Sequence, residues 1–401
     1  MSLLDLLSDR DCWERFYEYK SSLKCPKAFS AELRTFIDRE AYRPVCERIA
    51  RGEPFPLPKK SVISKMSSGK MRTVYTYPRD ENMVLKLLTY LLLRKYDGLF
   101  SDNLYSFRPG RTAKDAVRRL MAMPGAGKMY AYKVDISNYF NSIPAARMTE
   151  LLTEVLADDP RLADFLCGLL AEPRVLWNGE TVAEEKGIMA GTPLSSFYAN
   201  LYLRELDGHF VAAGIPYARY SDDIILFAGT PGETASHAAF IRRFLAERGL
   251  TVNPDKEQFT APEEGWTFLG FRCRDGIVDI APATVAKLKG KMRRKARALR
   301  RWRVRGGVSG ERAAAAFIRI FNRKLLESPT DNELTWSCWF FSVINTAESL
   351  RIIDRYAQDC VRYLVSDTRT KARFNVRYED MKKLGYRNLV HAYYDFNGGE
   401  A

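Results

Sequence analysis

The chain has 401 residues, 46% hydrophobic and 28% charged, a globular balance rather than a disordered or fibrous one. Its 63 Lys and Arg against 49 Asp and Glu leave a net charge of +14, which favours a polyanionic partner, nucleic acid before membrane. Three well-separated histidines and seven cysteines with no C-x-x-C pair argue against a His-based zinc centre or a disulfide framework, so any chemistry falls to carboxylates, hydroxyls or bound ions.

In chain order, Met1-Ser2-Leu3-Leu4-Asp5 lacks the basic start and apolar run of a secretory leader, and a cytoplasmic location is expected. Residues 1–50 carry helical periodicity (Leu3, Leu4, Leu7, then Trp13, Phe16, Tyr17) and end at a proline-rich break, residues 52–58. Residues 61–77 read as two short strands around the turn Ser67-Ser68-Gly69. Residues 81–100 read as a helix; its most apolar stretch, 84–93, is too short to cross a bilayer and is broken by Lys86.

The middle alternates strand and helix. Strands are expected at 129–136, 218–220, 224–227 and 266–271, and helices at 145–156, 197–210 and 236–248. That pattern predicts an α+β fold in which distant strands come together. From Thr284 onward the pattern is all-helical. Residues 287–305 hold eleven cations and no acid, so all but three of the net positive charges sit there. Three regions are expected: an N-terminal helical element (1–50), a mixed domain (51–282) and a helical C-terminal domain (283–401).

Two acidic sites carry the chemistry. Tyr220-Ser221-Asp222-Asp223 lies between β-type runs, and adjacent acids repel unless something cationic neutralises them. Ser-Asp-Asp is also good hairpin-turn chemistry, so the tetrapeptide alone decides little. Asp135 closes the apolar run Tyr132-Lys133-Val134, where a carboxylate is costly unless paired or ligating metal. If the two segments are neighbours, Asp135, Asp222 and Asp223 converge, and three carboxylates suit two Mg²⁺ ions, with Mn²⁺ able to substitute. Two such ions about 4 Å apart activate an attacking hydroxyl and stabilise leaving pyrophosphate.

These residues resemble the palm of reverse transcriptases. Tyr105-Ser106-Phe107-Arg108-Pro109-Gly110-Arg111 is similar to a segment of the group II intron enzymes. Lys186 to Leu206, with Gly187 and Gly191-Thr192-Pro193-Leu194-Ser195, resembles their motif B. Asn253-Pro254-Asp255-Lys256 and Phe268-Leu269-Gly270-Phe271 resemble two further motifs in the expected order. Motif B departs in one respect: Ala190 stands where the family usually has Gln. Residues 336–341, 350–364 and 378–394 resemble the helical C-terminus of bacterial stand-alone, defence-associated enzymes related to those of group II introns.

The resemblance implies a right-hand polymerase, fingers and antiparallel palm followed by a helical thumb, that makes DNA on an RNA template. It implies Asp135, Asp222, Asp223 and the Ile136 carbonyl as metal ligands, and Lys256 as proton donor to pyrophosphate. Lys70 and Arg72 would clamp the incoming triphosphate; Phe140 would exclude ribonucleotides; Ala190 and Gly191 would border the nucleotide. Arg108, Arg111 and Lys114 would contact template. Leu269 and Gly270 would grip primer, and Arg293, Arg294, Arg297 and Arg301 would contact the duplex backbone. Expected partners are deoxynucleoside triphosphates, a DNA product and a structured noncoding RNA template in antiphage defence, with no membrane and the oligomeric state open. Template-independent or protein-primed synthesis, or a mutagenic diversity-generating enzyme, are alternatives on the same palm.

Overall fold

The computed structural model describes residues 1–23, 26–64, 71–123, 125–327 and 336–398. The expected turn at Ser67-Ser68-Gly69 and the cation Lys70 lie outside the described residues. The chain divides into two compact units, Met1–Pro262 and Glu263–Ala401.

In the first unit, helices Arg10–Ser22, Lys27–Asp38 and Arg43–Ala50 pack Trp13, Phe16, Phe36 and Tyr42 into the same core as the apolar face of helix Arg79–Lys95. Residues 1–50 are therefore part of this unit. Strands β1 (Lys59–Ser64) and β2 (Met71–Thr76) form an antiparallel hairpin. Strand β3 (Tyr130–Asp135) follows, and then β4 (Arg174–Trp177) and β5 (Glu180–Ala183), which extend the first hairpin into the sheet β2-β1-β4-β5. Between β3 and β4 lies helix Pro160–Ala171, which the sequence pattern does not announce; Asp159 caps it by accepting from the Leu162 amide, and Pro160 suits its first turn. The same carboxylate accepts from the Leu3 amide at 2.8 Å and ties down the N-terminus.

A second sheet holds β6 (Tyr217–Tyr220), β7 (Asp223–Ala228) and β8 (Gln258–Thr260) around β3, in the antiparallel order β6-β7-β3-β8. With neighbours on both sides, β3 and β7 are buried, which explains their near-continuous apolar runs. The helix expected over 197–210 is two helices, Ser195–Tyr202 and Arg204–Ala212. Side chains supply the donors that a continuous helix would have used: the Tyr139 hydroxyl donates to the Ala199 carbonyl at 2.6 Å, and Arg219 to the Asn200 carbonyl at 3.1 Å.

From Thr284 onward every element among the described residues is a helix, in line with the sequence pattern, and the second unit begins ahead of that point with strands. Strands β9 (Trp266–Phe268), β10 (Phe271–Arg274) and β11 (Ile277–Ile280) form a meander where one strand was expected over 266–271. Leu269 and Gly270, both at positive φ, form the two-residue turn between β9 and β10. The meander belongs with the helices, which moves the boundary ahead of the expected 282. Ser349 donates to Asp279 at 2.8 Å, Asn345 Oδ1 accepts from the Val278 amide at 2.8 Å, and Phe271 packs on Phe340. The helices are Pro282–Gly306, Gly310–Leu325, Trp336–Phe340, Glu348–Ser366, Tyr378–Lys383 and Leu389–Phe396.

Candidate active site

The register of β3 with β7 pairs Asp135 directly with Asp223 at the end of the second sheet, on one face. Asp222 sits beside them in the turn joining β6 to β7, where the Tyr220–Asp223 pair leaves only Ser221 and Asp222 as loop. The Asp222 carbonyl accepts from the Ile136 amide at 3.2 Å, pinning the turn to the end of β3. Asp135 is 5% exposed, and its Oδ2 accepts from Lys256 Nζ at 2.5 Å. The three-residue helix Pro254–Lys256 brings that lysine in, anchored where the Asn253 amide donates to the Asp135 carbonyl at 2.7 Å.

Electrostatics mark the same spot. Burial, then the charge of Asp135, pushes the Asp222 carboxyl above its ordinary range. Burial, then the charge of Asp222, pushes Asp223 up to about 6. Burial works against the Lys256 ammonium, yet its hydrogen bond to Asp135 and the nearby aspartates raise it overall. A cluster of acids that resists ionisation is short of positive charge, which a cation can supply.

Among the described residues, no three His, Cys, Asp or Glu side chains stand close enough to cage a metal ion by themselves. Mg²⁺ does not require such a cage. It is commonly held by one or two carboxylates, with water and substrate phosphates completing the octahedron. The hard oxygen donors of Asp135, Asp222 and Asp223 fit that chemistry.

A buried polar network beneath the turn gives no signal in the sequence. Arg219 and Asp207 are both 0% exposed and meet through Nη2–Oδ2 at 2.5 Å and Nε–Oδ1 at 2.7 Å. Tyr217 donates to the same carboxylate at 2.9 Å. From this anchor Arg219 donates to the Ser221 carbonyl at 3.3 Å, while Ser106 Oγ accepts from the Ser221 amide at 2.9 Å. Asn200 holds Ser106 in turn, accepting from its hydroxyl at 3.0 Å and donating to its carbonyl at 2.8 Å. Ser221 has φ of 60°, a left-handed conformation that costs a non-glycine residue, and these bonds hold it there.

A second junction meets β2. Phe140, half-buried, accepts through its carbonyl from the Ile188 amide at 2.9 Å. A Cβ at Gly187 would stand 2.6 Å from that carbonyl, so only glycine fits. The buried Ala190 donates its amide to Asn141 Oδ1 at 3.1 Å and accepts from the Tyr75 amide at 2.8 Å. Gly191, at φ 100°, lies so close to β2 that a Cβ would come within 3.1 Å of the Tyr75 carbonyl. Asn141 also donates to the Thr73 carbonyl at 3.2 Å, beside the exposed Arg72. Asn141 is absent from the sequence-based expectations, although it follows Phe140 directly.

The expected template contacts fare differently. Arg108 is 3% exposed, its guanidinium forked onto Asp97 at 2.7 and 2.9 Å and donating to the Ser101 carbonyl at 2.6 Å. Its donors are engaged inside the fold. Arg111 pairs with Asp102 at 2.5 Å, and Lys114 sits half-buried in the first turn of helix Ala113–Ala122. Leu269 and Gly270, with Arg293, Arg294, Arg297 and Arg301, belong to the second unit, where the four arginines are exposed on helix Pro282–Gly306.

Residues 57–273 match the family model for reverse transcriptase (RNA-dependent DNA polymerase). Among curated proteins, the chain is 25% identical to the retron Mx65 reverse transcriptase of Myxococcus xanthus, over 52% of this chain and 48% of that protein. It is 23% identical to the group II intron-encoded protein LtrA of Lactococcus lactis (47% and 31%) and 29% identical to an uncharacterised 91 kDa protein in a cob intron of Schizosaccharomyces pombe (50% and 32%). The chain thus spans about half or less of the length of these relatives. Among solved structures, a telomerase from Candida albicans aligns over 88% of this chain and 71% of its own, with TM-score 0.44 and 10% identity. Because the family match covers more than half of the 401 residues, this chain belongs to the reverse transcriptase family.

Proposed function

We propose that the protein is an RNA-directed DNA polymerase, and that Asp135, Asp222 and Asp223 with the Ile136 carbonyl hold two Mg²⁺ ions for nucleotidyl transfer. The observation that carries this reading is the β3–β7 register, which sets Asp135 against Asp223 with Asp222 in the adjoining turn. When bound, the ions lower the pKa of the primer 3′-hydroxyl and neutralise charge on the leaving pyrophosphate. The hydroxyl gives its proton to water, its oxygen bonds to the α-phosphorus, the bond to the bridging oxygen breaks, and pyrophosphate departs. Lys256, half-exposed beside Asp135, delivers a proton to that leaving group. Arg72, with Lys70, clamps the triphosphate. Phe140, whose backbone carbonyl is held at the junction with Gly187 and Ile188, would close the space below C2′ with its ring and select deoxynucleotides.

The basic helix Pro282–Gly306 supports a nucleic-acid reading. Val285, Met292, Ala296 and Leu299 are buried, while Lys287, Lys291, Arg294, Arg301 and Arg305 recur on the opposite face with helical spacing. The resemblance to bacterial stand-alone enzymes supports a structured noncoding RNA as template and a role in antiphage defence.

Sequencing of nucleic acid that co-purifies from cells tests the proposal, comparing wild type with the Asp222→Ala/Asp223→Ala variant. One defined RNA in both, with complementary DNA only in wild type, is expected. DNA with no matching RNA would point to untemplated synthesis and overturn it.

A further inference from the structure

The second unit carries a basic surface that the eleven-cation helix does not account for. Residues 368–377 leave the C-terminus of helix Glu348–Ser366 and hold Arg369, Lys371, Arg373 and Arg377 without an acid among them. Lys371 and Arg377 are exposed. Within this stretch Phe374 is 52% exposed, although a phenylalanine ordinarily prefers the core. Two guanidinium groups lie over its ring, Arg362 at 5.2 Å and Arg373 at 4.9 Å from the centroid, and both pair with Asp359, at 3.3 and 4.0 Å, so the unpaired charge of the stretch sits on its exposed Lys371 and Arg377. Nearby, Tyr363 has Arg300 at 5.8 Å and Arg369 at 5.2 Å from its ring.

The stretch is tied to the basic helix. Asp367, in the left-handed conformation that ends helix Glu348–Ser366, accepts from Arg300 at 2.5 Å. Arg303 donates to the Leu364 carbonyl at 3.0 Å. Arg300 of the helix and Arg369 of the stretch both lie over the Tyr363 ring, so cations of the two elements come together there.

The two parts differ in what they offer. Helix Pro282–Gly306 presents charges at helical spacing, which suits the phosphates of a regular duplex. Residues 368–377 present charges around an open aromatic ring with arginine planes beside it. A ring can stack on a base only where that base is unpaired, and a charged groove with aromatic platforms is how single strands are held. A merely solvated charge run has no use for the exposed ring.

We propose that residues 368–377, with Phe374 as the stacking ring, bind a single-stranded RNA segment. RNA is chosen over DNA because, on the function proposed above, DNA leaves paired to its template and the unpaired strand is the RNA flanking the copied stretch. The site is thus a hold on template outside the copied stretch, distinct from the catalytic carboxylates and from the duplex face of the helix.

Equilibrium binding by fluorescence anisotropy tests this without synthesis. The probes are a labelled oligouridylate, the oligodeoxyuridylate of the same length, and a blunt RNA–DNA hybrid. The full chain is compared with Phe374→Ala, Phe374→Trp and Lys371→Ala/Arg377→Ala. Loss of one stacked base predicts that Phe374→Ala weakens oligouridylate by about 5- to 150-fold and leaves the hybrid within about twofold. Phe374→Trp retains the affinity, and the double variant lowers the salt slope for oligouridylate by about 1 or more. Adding Phe374→Ala to the Asp222→Ala/Asp223→Ala protein weakens oligouridylate by the same factor as in the otherwise wild-type chain, which separates this site from the catalytic reading. Unchanged oligouridylate binding by Phe374→Ala, equal losses on oligouridylate and hybrid, or tighter binding of the deoxy probe would each overturn the proposal.

Discussion

Asp223, one of the proposed metal ligands, carries a measurable cost. Burial and the adjacent Asp222 lift its carboxyl from an ordinary 3.8 to about 6. Above pH 6 the folded protein therefore holds a charge that the unfolded chain holds more comfortably. As pH falls from 6 toward 3.8, the folded state takes up its proton first and the penalty disappears. Asp223→Asn should raise unfolding free energy at pH 7.5 by about 1–3 kcal/mol, with the gain vanishing near pH 4, while abolishing synthesis. Denaturant melts at the two pH values check this; no gain at pH 7.5 would mean that the carboxylate is not under strain.

Ser106 makes the complementary case, a fully buried residue whose hydroxyl holds the turn bearing the aspartates. Ser106→Ala should cost only about 1–2 kcal/mol of stability, yet lower the rate of synthesis tenfold or more and raise the Mg²⁺ concentration needed for half-maximal activity. Ser106→Thr should recover part of both. A stability loss with an unchanged metal requirement would reduce Ser106 to ordinary packing. The aspartates were legible in the sequence because paired acids between apolar runs need explaining. Ser106 was not, because its partner amide lies 115 residues away. Arg219 and Asp207 were equally silent, since nothing in Tyr-Ala-Arg-Tyr announces a fully buried ion pair. The pairing of Arg108 with Asp97 was silent too, because the motif that holds the arginine does not include its partner.

At the scale of elements, period-two and period-3.6 patterns located β3, β7 and most helices to within a few residues, because each buries one well-defined face. The failures have local physical causes. Leu203 interrupts a run that reads as continuous helix because Tyr139 and Arg219 satisfy the carbonyls left over at the break. The β9–β11 meander escaped because its strands are three or four residues long, too short for periodicity to register. Helix Pro282–Gly306 announced itself by charge, and its exposed face carries a quantitative expectation. Replacing Lys291, Arg294 and Arg301 together by Ala should weaken binding of an RNA–DNA hybrid uniformly across sequences. The slope of log affinity against log salt should become shallower by about one for each phosphate no longer neutralised. Binding measured between low and moderate salt settles it, and an unchanged slope would take this face off the nucleic acid.

For the whole molecule, the sequence placed a boundary where the charge changes, whereas the two units divide earlier, where hydrogen bonds and ring packing change. Charge reports what a surface meets; buried packing decides what folds together. The N-terminal helices show the same distinction. They read as a separate element before a proline-rich break, yet Trp13 and Tyr42 share one core with helix Arg79–Lys95 and the second sheet. None of the helices among the described residues is long and apolar enough to cross a membrane.

On the proposed function, the three aspartates run RNA-templated DNA synthesis. Primer extension by purified protein tests it most directly, on a defined RNA template with a DNA primer, Mg²⁺ and deoxynucleoside triphosphates, against the same reaction with Asp222→Ala/Asp223→Ala. Wild type should give template-encoded extension with deoxynucleotides and much weaker extension with ribonucleotides, and the variant none. Extension that persists in the variant, or that ignores the template sequence, would contradict it.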